Sequence, residues 1–107
     1  MDNRVLLVAA VCMDKKGDGP KKAREAHMQG HLSYFESILD QVAVAGPIFG
    51  EDGKTPVGSM LIYKTDDCEK AKALLAADPY YHADIWETVD FHMFRAAGGD
   101  LVGGKSW

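Results

Sequence analysis

The chain has 107 residues, 47% of them apolar, and its 16 acidic against 12 basic side chains give a formal charge of -4. That is enough for one compact domain around a single core and too short for two. The acidic balance, with no basic run longer than the pairs Lys15-Lys16 and Lys21-Lys22, argues against a nucleic-acid partner, whose phosphates call for clustered cations.

The opening MDNRVLLVAAVC has a basic residue before an apolar run ending in Cys, which invites comparison with a short signal segment. The run from Val5 to Cys12 is short, Asp2 dilutes the charge before it, and bulky Val11 stands where a small residue should precede a processed Cys. We therefore read Val5 to Met13 as a buried first strand, closed by the polar loop Asp14 to Pro20. No stretch approaches the roughly 18 apolar residues of a membrane span, so no membrane partner is expected. Cys12 and Cys68 lie far apart without metal-type or redox spacing, which fits neither a disulfide framework nor a zinc ribbon. A reducing cytoplasm suits them, with Cys12 as a small core residue and Cys68 as structural or incidental.

From Lys21 to about Asp40 only Gly30 opposes a helix, and Met28, Leu32, Phe35 and Leu39 recur at helical spacing as one apolar stripe, taken to face the core. Val42 to Phe49 and Val57 to Tyr63 read as two strands around the turn-forming Gly50 to Gly53. Asp66 to Ala77 reads as a second helix with Ala71, Leu74 and Leu75 on one side and Asp66 or Asp67 as its cap. Ile85 to Arg95 reads as the last strand, in which Val89, Phe91 and Met93 alternate with Thr88, Asp90, His92 and Phe94.

The order βαββαβ is the ferredoxin-like α+β plan, with two helices on one face of a four-stranded antiparallel sheet. Trp86 and Phe94 beside His92 give the other face an aromatic character, and a homodimer burying that face is expected.

His27 and His31 stand four residues apart on the first helix. At about 100° per residue, His31 falls roughly 50° from the centre of the apolar stripe and His27 almost twice as far. Arg24 projects along nearly the same line as His31. Ordinary surface histidines are one reading; a shared metal is another, but the intervening Met-Gln-Gly lacks the Glu of the zinc-protease motif. Asp78, before Pro79, either caps a short helix or faces an imidazole and orients it. Near the end of the chain, Gly99 to Lys105 followed by Ser106 satisfies the letter of a phosphate-binding loop, but no helix follows to face a phosphate. A flexible Gly-rich tail, pinned by Trp107 against a subunit, is the better reading.

HLSYFE (His31 to Glu36), VAGPI (Val44 to Ile48), DGKTPVGSMLI (Asp52 to Ile62), AADPYYHADIWETV (Ala76 to Val89) and the closing Phe94-Arg95 together resemble the YciI-like family, the YCII-related domain. The resemblance runs from roughly Arg4 to Arg95. It sets a domain over residues 1–97 and a tail over 98–107. It implies a ferredoxin-like dimer, a dimeric α/β assembly, with a site centred on a histidine and an aspartate, here His31 and Asp78. Arg24 resembles an arginine often found seven residues ahead of that histidine, and Gly58-Ser59 matches the Gly-Ser that opens the third strand. One member of the family is a dehydrochlorinase of a chlorinated hydroxyhydroquinone, and related dimers include muconolactone isomerase. Two positions depart from the pattern: Met28 stands where the family often has a second Arg, and Asp84 where it often has Gly.

The expectation is a small lyase or isomerase acting on a small oxygenated, aromatic or lactone-like substrate, with His31 as general base and acid oriented by Asp78. Arg24 and Ser59 would bind the oxyanion or carboxylate end, and Tyr34 or Trp86 would supply an apolar wall. His27 is a neighbour of the pocket without an assigned role. No cofactor is required, since proton abstraction and elimination need none, and no metal is expected. The alternative is a non-catalytic dimer that binds a small metabolite in the same pocket. A hydrogen bond between His31 and Asp78 beside an open cavity favours catalysis; Asp78 acting only as a cap favours binding.

Overall fold

A computed structural model describes residues 5–105 and 107, with the side chain of Val5 left aside. Met1 to Arg4, which open the signal-like stretch, and Ser106 of the phosphate-loop-like pattern lie outside the described residues. The chain runs β1 (Val5–Asp14), α1 (Gly19–Ser37), a single 3-10 turn Leu39–Gln41, β2 (Val42–Phe49), β3 (Pro56–Tyr63), α2 (Cys68–Ala76) and β4 (Trp86–Ala96). The four strands form one antiparallel sheet in the order β2-β3-β1-β4. This is the ferredoxin-like α+β fold. Among the described residues no helix is long and apolar enough to cross a membrane.

Strand periodicity places Val8, Ala10 and Cys12 of β1 on the helix-covered face opposite Leu61 and Tyr63 of β3, where they meet Ala71 and Leu75 of α2 in one apolar core. Asp67 caps α2, its carboxylate accepting the backbone N–H groups of Glu69 and Lys70.

Helix α1 departs from the reading of its stripe as a core face. Met28 and Leu32 are 48% and 47% exposed, and Leu39 lies beyond the helix end at 55%. Ile38 leaves helical geometry at φ -121° and drops into the core instead, followed by the 3-10 turn. The helix stands off β2 and β3 along much of its length, so Met28, Leu32 and Phe35 face a cleft. Apolar periodicity identifies the inward side of a helix, but not whether that side meets a packed core or a hollow.

Trp86 also departs from expectation. Met13 pairs with Thr88 but Asp14 pairs with Trp86, so Glu87 is an extra residue that reverses the side-chain alternation. Trp86 therefore packs on the helix-covered face, away from His92 and Phe94. The open face keeps Met13, Val44, Met60 and Phe94 exposed, so its apolar character survives without the indole.

Beyond β4, Gly98–Gly99 (β5) and Gly104–Lys105 (β6) pair as a small hairpin around a 3-10 turn at Asp100–Val102. Trp107 packs against Gly98 of that hairpin. The sequence resembling a phosphate loop is thus a hairpin in which Gly103 and Gly104 adopt left-handed φ values of 80° and 105°.

Candidate functional site

Between α1 and the β2-β3 half of the sheet lies a cleft of about 620 Å³, in the size range of small-molecule sites. Met28, Leu32 and Phe35 form its helical wall, Ala45, Pro47 and Leu61 its sheet wall. Trp86, Tyr80, Ser59, Arg24 and His31 close its base. Lys21, Glu25 and Lys54 line it as well, on exposed positions.

His31 reaches the cleft from the middle of α1. Its Nδ1 lies 2.8 and 2.9 Å from the two carboxylate oxygens of Asp78, which is only 2% exposed. Asp78 begins a run of turns after α2, in which Tyr81, His82 and Ala83 donate backbone N–H groups to Asp78, Pro79 and Tyr80. Its Oδ1 also accepts the backbone N–H of Tyr80 at 2.9 Å. Asp78 thus caps its turn and holds the imidazole at the same time. Gly30 lies against Pro79, where a Cβ would sit 3.4 Å from the ring, at ordinary contact distance. A carboxylate on Nδ1 favours the tautomer with the proton on that nitrogen, leaving Nε2 with a lone pair.

Arg24 is engaged differently from the anion hook that its place beside His31 suggests. Its Nε donates to Asp14 Oδ2 at 3.0 Å and its Nη2 to Asp14 Oδ1 at 2.8 Å, a bidentate and largely buried pair. Nη2 also donates to the carbonyl of Gly58 at 3.1 Å and to Ser59 Oγ at 3.3 Å. The guanidinium charge is therefore met by Asp14, and Ser59, accepting from Arg24, has its own O–H left to offer. Asp14 escaped the sequence reading because it stands at the border of strand and polar loop.

Tyr34 is not brought to the cleft: its hydroxyl donates to the Leu74 carbonyl at 2.6 Å, tying α1 to α2, and burial pushes its phenol pKa up. Trp86 does line the cleft, and its indole N–H is buried without a partner among the described residues. His27 is exposed and outside the cleft lining. No group of three His, Cys, Asp or Glu among the described residues is placed to hold a metal ion. Burial first, then the charges of Asp78 and Asp14, push the Cys12 thiol up to about 12.

The sequence profile of the YCII-related domain matches residues 6–95. The chain belongs to the YCII-related domain family. No curated protein matches it. Among solved structures it is similar to the 5-chloro-2-hydroxyhydroquinone dehydrochlorinase of Burkholderia phenoliruptrix AC1100, in complex with 2,5-dihydroxybenzoquinone. The TM-score is 0.71 at 22% identity, covering 88% of this chain and 96% of that one. A NIPSNAP family protein of unknown function from Agrobacterium tumefaciens gives a TM-score of 0.51 at 17% identity, covering 91% and 92% of the two chains. These likenesses establish the fold.

Within the YCII-related domain, the position where this chain carries Asp84 has a backbone reason for glycine. Asp84 has φ 61°, the left-handed region, and pairs with Lys15 on the surface. The departure therefore strains a turn that leads directly into Ile85 and Trp86.

Proposed function

We propose that this YCII-related protein is a small-molecule lyase or isomerase in which His31 Nε2 removes and returns a proton on a small, planar, oxygenated substrate. One observation carries the reading: Asp78 holds the imidazole by Nδ1 from a buried position while an apolar cleft opens beside the ring. In an elimination, Nε2 takes the proton, its bonding electrons form the new double bond, and the leaving group departs with its own pair. Ser59 O–H, backed by Arg24, donates to a substrate oxygen, and Trp86 and Phe35 flank the ring. The dehydrochlorinase with the same fold, solved with a dihydroxybenzoquinone, supports an aromatic substrate of this size. The open sheet face, with Met13, Val44, Met60 and Phe94 exposed, supports a homodimer. Two free cysteines suit a reducing compartment such as the cytoplasm.

The test is turnover of halogenated and unhalogenated hydroxyhydroquinones and small unsaturated lactones, followed by absorbance and by halide release. Turnover that His31→Ala abolishes supports the proposal. Saturable binding without turnover across that panel returns the protein to the reading of a metabolite-binding module. Light scattering addresses the assembly separately: the proposal expects a dimer that Met60→Glu dissociates.

A further inference from the structure

Tyr80 lies in the stretch Ala76 to Val89 but has no role assigned from sequence, yet it touches Arg24, His31 and Asp78 together. Its ring is stacked on the His31 imidazole, with centroids 3.9 Å apart and planes 3° from parallel. The Arg24 guanidinium carbon lies 5.6 Å from the same ring centroid. The phenol donates to the Arg24 carbonyl at 3.2 Å, and the backbone N–H of Tyr80 donates to Asp78 Oδ1. Tyr80 is 3% exposed, and Trp86 meets its ring edge to face.

These contacts constrain the imidazole along two axes. Asp78 fixes it in its own plane through Nδ1 and opposes a flip about χ2, which would break that contact, but a single carboxylate leaves the ring free to rock about the bond. A flat aromatic face at stacking distance removes the rocking, because tilting the ring drives its atoms into Tyr80. The phenol then anchors Tyr80 to the backbone of the helix that carries His31, so stack and histidine move as one body.

We propose that Tyr80 is a positioning residue for His31, its ring plane holding the imidazole so that Nδ1 keeps its proton toward Asp78 and Nε2 is the one nitrogen presented to the cleft. This rests on His31 being the reacting group, but the readout below is the imidazole itself and does not require turnover.

The test is long-range proton–nitrogen NMR of the His31 ring in the full chain, with melting followed in parallel, for wild type, Tyr80→Phe, Tyr80→Leu and Tyr80→Met. Wild type and Tyr80→Phe are expected to show a single neutral tautomer with the proton on Nδ1. Tyr80→Leu and Tyr80→Met, which fill space without a flat face, are expected to show averaging between tautomers or a second set of ring signals. If a substrate is in hand, the same two variants lose about 10- to 100-fold in kcat with KM within about twofold, since misplacing a reacting group by about 1 Å costs on that order. A single wild-type-like tautomer in a folded Leu or Met variant overturns the proposal. So does loss of the tautomer in Tyr80→Phe, which would assign the positioning to the hydroxyl. Should Leu and Met both unfold, Tyr80→Phe decides through the ring-current shifts of the His31 ring protons: shifts and tautomer both kept support the proposal, and a lost stack with the tautomer unchanged overturns it. Absence of turnover with the NMR result as expected would overturn the proposed function and leave this inference standing.

Discussion

His31 Nδ1 sits almost equally far from both carboxylate oxygens of Asp78, at 2.9 and 2.8 Å, across 47 residues of sequence. Asp78→Asn keeps the size but lets the amide present either an acceptor or a donor to Nδ1. We expect it to lower kcat/KM by about 10² or more, within the usual range for losing an acid–base partner, while melting stays close to wild type. His31→Ala should abolish turnover, and His27→Ala should leave it within about twofold, since His27 is exposed and outside the cleft. Equal losses in the two histidine variants would refute the separation of their roles.

Gly58 tolerates no side chain. A Cβ there would lie 2.4 Å from the Cys12 carbonyl oxygen, backbone that cannot yield without parting β3 from β1. Gly58→Ala is expected to cost about 2 kcal/mol or more, as overpacking does, seen as a lower urea midpoint. Because the Gly58 carbonyl accepts from Arg24 and Ser59 follows it, binding should weaken in the same variant.

Asp84 offers a comparison at fixed backbone. Asp84→Gly relieves a left-handed residue and gives up an exposed ion pair with Lys15, so its melting temperature should match or exceed wild type. Asp84→Val, β-branched at φ 61°, should fall below Asp84→Gly by about 1–2 kcal/mol, or several degrees. A Val variant as stable as the Gly variant would mean that the turn does not impose this conformation.

The thiols separate by burial. Native protein should react with a thiol reagent at Cys68 alone and at both cysteines after denaturation. An unfolded Cys12 loses its proton near its ordinary 9.0 while the folded thiol holds it up to about 12, so between those values the unfolded state binds fewer protons. This contribution to stability is complete below the lower value and lost as pH rises through the window. Cys12→Ala should therefore make the alkaline fall in stability shallower, measured by urea melts from pH 8 to 11.

Strand and helix identities were legible because the relevant signals are local. Val5 to Met13 is an unbroken apolar run, and Asp67 caps α2 where a capping residue is expected. What could not be read were consequences of three-dimensional spacing. The stripe of Met28, Leu32 and Phe35 has the same period whether it meets a core or a cleft. Tyr34 and Phe35 are adjacent aromatics, and only the position of α2 decides that Tyr34 turns to Leu74. At the site, phase placed Arg24 near His31, but nothing local announced Asp14 as the partner that takes up its charge. Tyr80 had one available signal, its place two residues after Asp78, where its backbone N–H completes the turn and its ring is carried back under α1.

The extra residue Glu87 divides β4 into two segments with opposite allegiance. Upstream of it, Trp86 lines the cleft; downstream, alternate side chains belong to the open face of the sheet. Deleting Glu87 would keep every other residue and still exchange the two surfaces at this point, swinging the indole out of the cleft to the far side. A one-residue length change in this strand is thus a heavier alteration of the cleft than most substitutions within it, and relatives differing by one residue here should not be assumed to share a ligand.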